Sequence, residues 1–449
     1  MIALDLIYLI SKYNHNIIDS IKLSLINKEI YDNSDKIFIN NPLITFKNYE
    51  TIIRYNFNDF RMGRNFVIRD IKNFYRKRNI YIVDNYNYLE EIPNNIKKII
   101  ISLTNIEKNH KITLPNNITH LTFKYEHTEP LILPNSLTHL TFGRKFNQPI
   151  DLPNSLIHLT FGREFNQPID LPNNLTHLTF GAQFNQPITL PFDLTHLTFG
   201  WYFNRSITLP NNLTHLTFGY RFNQPINLPD SLTHLTFGDD FNQPIILPNN
   251  LTHLTFGNQF NQPINLPDSL THLTFGSIFD QPINLPNNLT HLTFGRDFNQ
   301  PTILPNNLKK LHFGREFNQP ITLPNNLKKL HFGQKFDQLI SLPDNLAHLT
   351  FDVFSQFNRP IILPNNMTHL AFGLRFNQLI TLPNNLKDLN LNHYYNRPIR
   401  INPERNKSEK LTIRLNPNNF NMILPIENQY DFENIIIANN SNNKIIKIK

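Results

Sequence analysis

His120, His139, His158, His177, His196, His215, His234, His253, His272 and His291 stand nineteen residues apart, an unbroken file of ten. Imidazole is the side chain best suited to ligating metals and moving protons near neutral pH. A second polar file runs beside it: Asn147, Asn166, Asn185, Asn204, Asn223, Asn242, Asn261, Asn299 and Asn318, with Asp280 and Asp337 at the same place. A straight single file lets two neighbours share an ion but offers neither tetrahedral enclosure nor a supporting shell, so no metal and no cofactor is expected. The histidines read instead as a half-exposed ladder beside threonines, one that becomes a row of like charges and weakens below about pH 6. The Asn file reads as side-chain amides bonded to unpaired backbone groups. Asp accepts but does not donate, so Asp280 and Asp337 are expected to mark weaker joints. There is no cysteine nucleophile, no Gly-rich phosphate loop and no isolated Ser-His-Asp set. No catalytic residue is assigned, and the chain reads as a non-enzyme.

The elements that position these files follow from a second beat. From Phe123 to Phe351 a phenylalanine falls every nineteenth residue, within a unit whose cleanest copy is LTHLTFGRKFNQPIDLPNS, Leu137 to Ser155. A fixed period near twenty means one turn of structure that buries its apolar face only against its neighbours. In Leu137-Thr-His-Leu-Thr-Phe142 the alternation predicts a short strand with Leu140 and Phe142 inward and His139 and Thr141 outward. Gly143 ends it, where freedom to take a positive φ is useful. Two prolines per unit forbid a helix on the return side, which is expected to be extended or irregular. The fold class is therefore a mainly β solenoid of about fifteen turns, roughly 70 Å long. The Phe stacks read as structural, each worth on the order of 3–5 kcal/mol against Ala.

Charge sits at the ends. Residues 111–386 carry sixteen Lys and Arg against sixteen Asp and Glu, so the net +8 comes from the flanks, most densely between Arg54 and Arg78. A neutral array is a poor match for a phosphate backbone, so nucleic acid is not expected as a partner. The opening MIALDLIYLISKYN lacks the pattern of a signal peptide, and no apolar run has membrane-spanning length. The expectation is a soluble, cytoplasmic protein without a membrane partner.

The repeats differ most in the pair between Gly and the second Phe. Arg144-Lys145, Arg163-Glu164, Trp201-Tyr202, Tyr220-Arg221, Asp239-Asp240, Arg296-Asp297 and Arg315-Glu316 present nearly every chemical class on a constant frame. Such a strip is how a repeat protein displays a specific protein-binding surface, and these fourteen residues are the candidate contacts. Trp201, the single tryptophan, is the most pointed of them. Further on, Lys309-Lys310 and Lys328-Lys329 replace the Thr-His pair while His312 and His331 move to the Thr place. The frame then lengthens by two residues at Asp352-Val-Phe-Ser-Gln356, expected to loop out.

The opening LxxLxL of each unit resembles a leucine-rich repeat. The motif Phe-Asn-Gln-Pro-Ile, flanked by Leu-Pro-Asn-x-Leu-Thr-His-Leu-Thr-Phe-Gly, resembles the FNIP repeat, a leucine-rich-repeat relative abundant in social amoebae and giant DNA viruses. The likeness covers residues 93–400, though these nineteen-residue units are short for the family and leave the curvature open. Such repeats often follow an F-box, the helical segment that recruits a Skp1-type adaptor of a ubiquitin ligase. Residues 1–50 have that general look, with Leu4, Leu6, Ile7 and Ile10 on one apolar helix and Ile18 and Ile21 on a second, although a Leu-Pro start is missing. A helical cap on the solenoid is the competing reading. The expected layout is thus residues 1–50 as F-box-like or capping segment, 51–92 as a basic α/β cap, 93–400 as the array and 401–449 as the C-terminal cap. The resemblance implies a protein-interaction module, with either a ligase link or a stand-alone scaffold or decoy role.

Overall fold

The computed structural model describes residues 80–83, 92, 96–102, 114–124, 131–392, 394–401, 411–414, 435–438 and 445–447. The expected helices with Leu4, Leu6, Ile7, Ile10, Ile18 and Ile21, and the basic stretch Arg54 to Arg78, lie outside those residues. The chain divides into two units, Met1–Ile82 and Val83–Lys449, with strand β1 (Ile80–Val83) at the boundary.

The second unit is the solenoid. After β2 (Lys98–Ile101) and β3 (His120–Phe123), nine three-residue His-Leu-Thr strands, β4 to β12, run from His139–Thr141 to His291–Thr293. They are followed by β13 (Lys310–His312), β14 (Lys329–Phe332), β15 (His348–Phe351) and β16 (His369–Ala371). Each strand pairs in parallel with the next in strict register, His253 on His272 and Thr255 on Thr274 for instance. The ladder continues through β18 (Asp388–Asn390), β20 (Leu411–Arg414) and β21 (Ile435–Ala438). It ends on β22 (Ile445–Lys447), which pairs antiparallel with β21. Return legs carry no helix among the described residues; only β17 (Ile380–Leu382) and β19 (Ile399–Ile401) pair there.

Burial follows the alternation. Leu140 and Phe142 are 2% and 3% exposed, Phe146 is 2%, and the same places stay buried along the array. Within a unit the two Phe rings stack at 3.6–4.4 Å, so the core is a zigzag of paired rings. Backbone bonds reach well past the strands: Thr252 N and His253 N both donate to Thr233 O, Phe237 N to Thr255 O and Asp240 N to Tyr220 O. The irregular legs are thereby tied turn to turn.

Equivalent rings on successive turns are not equally spaced. Histidines of the file lie 4.0–4.2 Å apart, the first Phe column 5.4–5.9 Å and the second 5.9–6.2 Å. Stacked strands stand about 4.8 Å apart, so spacing widens steadily from outward His to inward Phe to return leg. A stack that is narrower on one side bends toward it. The second unit therefore curves with its His–Thr face on the inside.

Two local expectations need correction. Gly238 and its equivalents do not take a positive φ; a Cβ on Gly238 would sit 1.9 Å from Gly219 O. Glycine is required by the close approach of successive turns, not by backbone handedness. The Asp positions are not weakened by the loss of a donor. Asn242 N donates to Asn223 Oδ1 at 2.9 Å, and Asn299 N donates to Asp280 Oδ1 at 2.8 Å in the same way. At Asp280 and Asp337 the ladder calls on the acceptor oxygen, which Asp supplies; amide donation along it appears at Asn377, to Asn396 Oδ1 at 2.9 Å. Asp337 additionally pairs with Arg359 at 3.0 Å.

Candidate interaction surface

The variable pairs lie immediately beyond the strands, before the second Phe turns inward. Their second members are bonded turn to turn: Glu164 N to Arg144 O, Tyr202 N to Ala182 O, Arg221 N to Trp201 O and Glu316 N to Arg296 O. Side chains of changing chemistry thus project from a rigid, hydrogen-bonded edge. Neighbouring turns also contact one another there. The Trp201 and Tyr220 rings stack at 4.4 Å and 3°, with Tyr202 at 6.5 Å from Trp201. The Arg221 guanidinium lies 5.4 Å from the Tyr220 ring centre and 3.2 Å from Asp240. Asp239 accepts from Asn258 Nδ2 at 2.8 Å.

Trp201, Tyr202, Tyr220, Arg221, Asp239 and Asp240 are accordingly one continuous patch over three turns. Trp201 and Tyr202 remain 48% and 44% exposed. Arg144, Lys145, Arg163 and Glu164 stand on the same edge two and three turns before Trp201. Arg296–Asp297 at 2.7 Å and Arg315–Glu316 at 3.2 Å form separate ion pairs further on. Exposed pairs of this kind contribute little to stability. The edge also carries two residues missing from the sequence-based set. In the lengthened turn Val353 and Phe354 loop out, 63% and 64% exposed, while Ser355 is fully buried. Counting the frame locates that insertion; its two-apolar tip is visible only once Ser355 is seen to fill the inward place.

The inner face carries the histidine file. Thr138 Oγ1 donates its single proton to Thr119 O at 3.0 Å, so the 2.8 Å contact with His139 Nδ1 is a bond donated by the imidazole. The pattern repeats through Thr290 and His291, broken only at Ile157–His158 within the file, and leaves Nε2 as an outward acceptor. Burial first, then the charges of neighbouring histidines, push His139 and His177 down to about 4. His139 and His177 are therefore neutral at pH 6, so at these two positions the expected charging is moved to lower pH. Among the described residues no group of three or more His, Cys, Asp and Glu side chains could hold a metal ion.

In-register parallel strands, an inward Leu and Phe column and non-helical return legs define a leucine-rich-repeat-type solenoid of about fifteen turns. The FNIP Repeat family matches residues 108–145, 146–183, 165–202, 184–221, 203–240, 241–278, 279–315, 298–335, 317–352 and 336–375, and the chain belongs to that family. Among solved structures it is similar to CroV588, described as a novel circular LRR protein structure, with 36% identity. That match covers 78% of this chain and 73% of that one, at a TM-score of 0.49. It is also similar to YopM from Yersinia enterocolitica WA-314, with 23% identity over 72% of this chain and 74% of that one. The TM-score of 0.59 bears on the fold. No curated protein matches. Among the described residues no helix is long and apolar enough to cross a membrane.

Proposed function

We propose that the array is a protein-binding module whose contact surface is the variable edge, centred on Trp201, Tyr202, Tyr220 and Arg221. The observation that carries this reading is the half-exposed Trp201–Tyr220 stack, held on a hydrogen-bonded edge and bordered by the Arg221–Asp240 pair. Large rigid aromatics beside Arg, on a frame that costs little further ordering, are the usual anchors of an interface. Arg144, Lys145, Arg163, Glu164, Asp239, Asp240, Arg296, Asp297, Arg315 and Glu316 supply the specificity-giving rim. Proximity labelling in cells with the whole chain identifies the partner. Trp201→Ala should then weaken that partner about thirtyfold or more, the loss of a hot spot, whereas Ile246→Ser on the return leg leaves it unchanged. Equal binding by both variants sinks the reading.

The finer reading makes this module the substrate-recognition subunit of a Skp1/cullin-type ubiquitin ligase, with Leu4, Leu6, Ile7, Ile10, Ile18 and Ile21 meeting the adaptor. It is supported by the family's frequent pairing with an F-box and by the two apolar runs in residues 1–50. The proposed division places a basic cap at 51–92 and a C-terminal cap at 401–449 around the array at 93–400. Skp1 enrichment on the full chain, lost with Leu6→Lys and Ile10→Lys, tests it. No enrichment leaves the stand-alone scaffold or decoy.

A further inference from the structure

A second feature of the inner face lies six turns beyond Trp201, where the Thr-His pairs become Lys309-Lys310 and Lys328-Lys329. Strands β13 and β14 pair Lys310 directly with Lys329, so four exposed ammonium-bearing side chains converge on two adjacent turns. Like charges directly opposite one another on paired strands are unfavourable for the fold itself. Among the described residues none of the four has a carboxylate within salt-bridge distance; the ion pairs all lie elsewhere. Their field reaches the neighbouring turn, where His291 is lowered first by burial and then by Lys310 and Lys309.

An open groove of about 540 Å³ runs beside them, with Asn288, Asn307 and Asn326 on one wall and Thr290, Lys309 and Lys328 on the other. The amide nitrogens of the three asparagines each donate one N–H to the preceding turn, bonding Asp268 O, Asn287 O and Asn306 O at 2.9 Å. Their carboxamide oxygens accept no bond from the described residues. The wall thus offers acceptors in a row, at the spacing of successive turns, beside a row of cations.

We propose that this groove docks an extended acidic segment of a protein partner, its carboxylates on Lys309, Lys310, Lys328 and Lys329 and its backbone N–H groups on the Asn oxygens. A phosphodiester strand has the charge but no backbone donors for those oxygens, and the groove walls carry no aromatic ring to stack a base. The site is separate from the Trp201 edge and is tested without it.

The test uses the full chain and a fluorescent peptide of alternating Glu and Ser, followed by anisotropy at low salt. Replacing all four lysines by Gln should weaken binding about tenfold or more, while Arg144→Gln, Lys145→Gln, Arg163→Gln and Arg221→Gln together change it by about twofold or less. Trp201→Ala should leave it intact, which separates failure of this site from failure of the edge. Replacing all four lysines by Glu should switch preference to a Lys–Ser peptide, a gain that misfolding cannot mimic. Unchanged binding by the four-lysine variant, absence of the switch, or a single-stranded oligonucleotide of equal charge outcompeting the peptide would each overturn the proposal.

Discussion

Ile157 shows how much one repeat position does. It stands where other turns carry the Thr that receives the His Nδ1–H bond, and His158 Nδ1 is buried without a partner in consequence. Ile157→Thr should restore the bond and raise stability by about 0.5–1.5 kcal/mol, read as a higher urea midpoint at unchanged slope. Gly238 carries the opposite constraint. A methyl there meets the Gly219 carbonyl at 1.9 Å, and backbone cannot yield as a side chain does. Gly238→Ala should cost roughly 1–3 kcal/mol or more, despite Ala's lower conformational entropy cost, and thermal unfolding would show it.

At the scale of the element, the joint between turns is the Asn ladder together with the strand pairing. Asn242 Oδ1 accepts from Asn261 N at 3.0 Å and from Gln262 Nε2 at 3.2 Å. Asn242→Asp keeps both acceptor roles and should lie within about 0.5 kcal/mol of the parent. Asn242→Leu strands the donors and should cost about 1–3 kcal/mol. Equal losses in the two variants, measured by chemical denaturation, would show that amide donation matters after all. Arg205 confirms how tolerant the neighbouring place is: its Nε donates to Asn185 O at 3.1 Å, the carbonyl role that Gln186 plays toward Asn166. The sequence reveals such a ladder through its period. It does not reveal that Asn242 serves the joint through its amide oxygen.

Across the whole molecule the histidine file links stability to pH. His120, His139, His158, His177, His196, His215, His253, His272 and His291 all titrate below their ordinary value, burial being the first cause. Lys98 near His120 and Lys310 near His272 add to it. A histidine lowered on folding binds fewer protons folded than unfolded, so stability rises with pH through that window. It is complete above the unfolded value of 6.5 and is lost as pH falls toward about 4, where His139 and His177 finally protonate. The thermal midpoint should fall progressively from pH 7 to pH 4 and level below. A midpoint flat over that range would contradict the assignment.

The sequence by itself determined the period, the inward Leu and Phe, the outward His and Thr, the non-helical return and the family. All of these are local: they follow from alternation, proline and near-identical copies whose neighbours are other copies. Fourteen candidate contacts could be named because variation on a constant frame is visible along the chain. The tertiary structure decided which of them meet, since Trp201 reaches Tyr220, and Arg221 reaches Asp240, only across turns. It also decided the direction of curvature, the lowered titration of His139 and His177 and the meeting of four lysines beside an amide-lined groove. Each of those depends on the spacing of stacked turns, a distance that no single unit encodes.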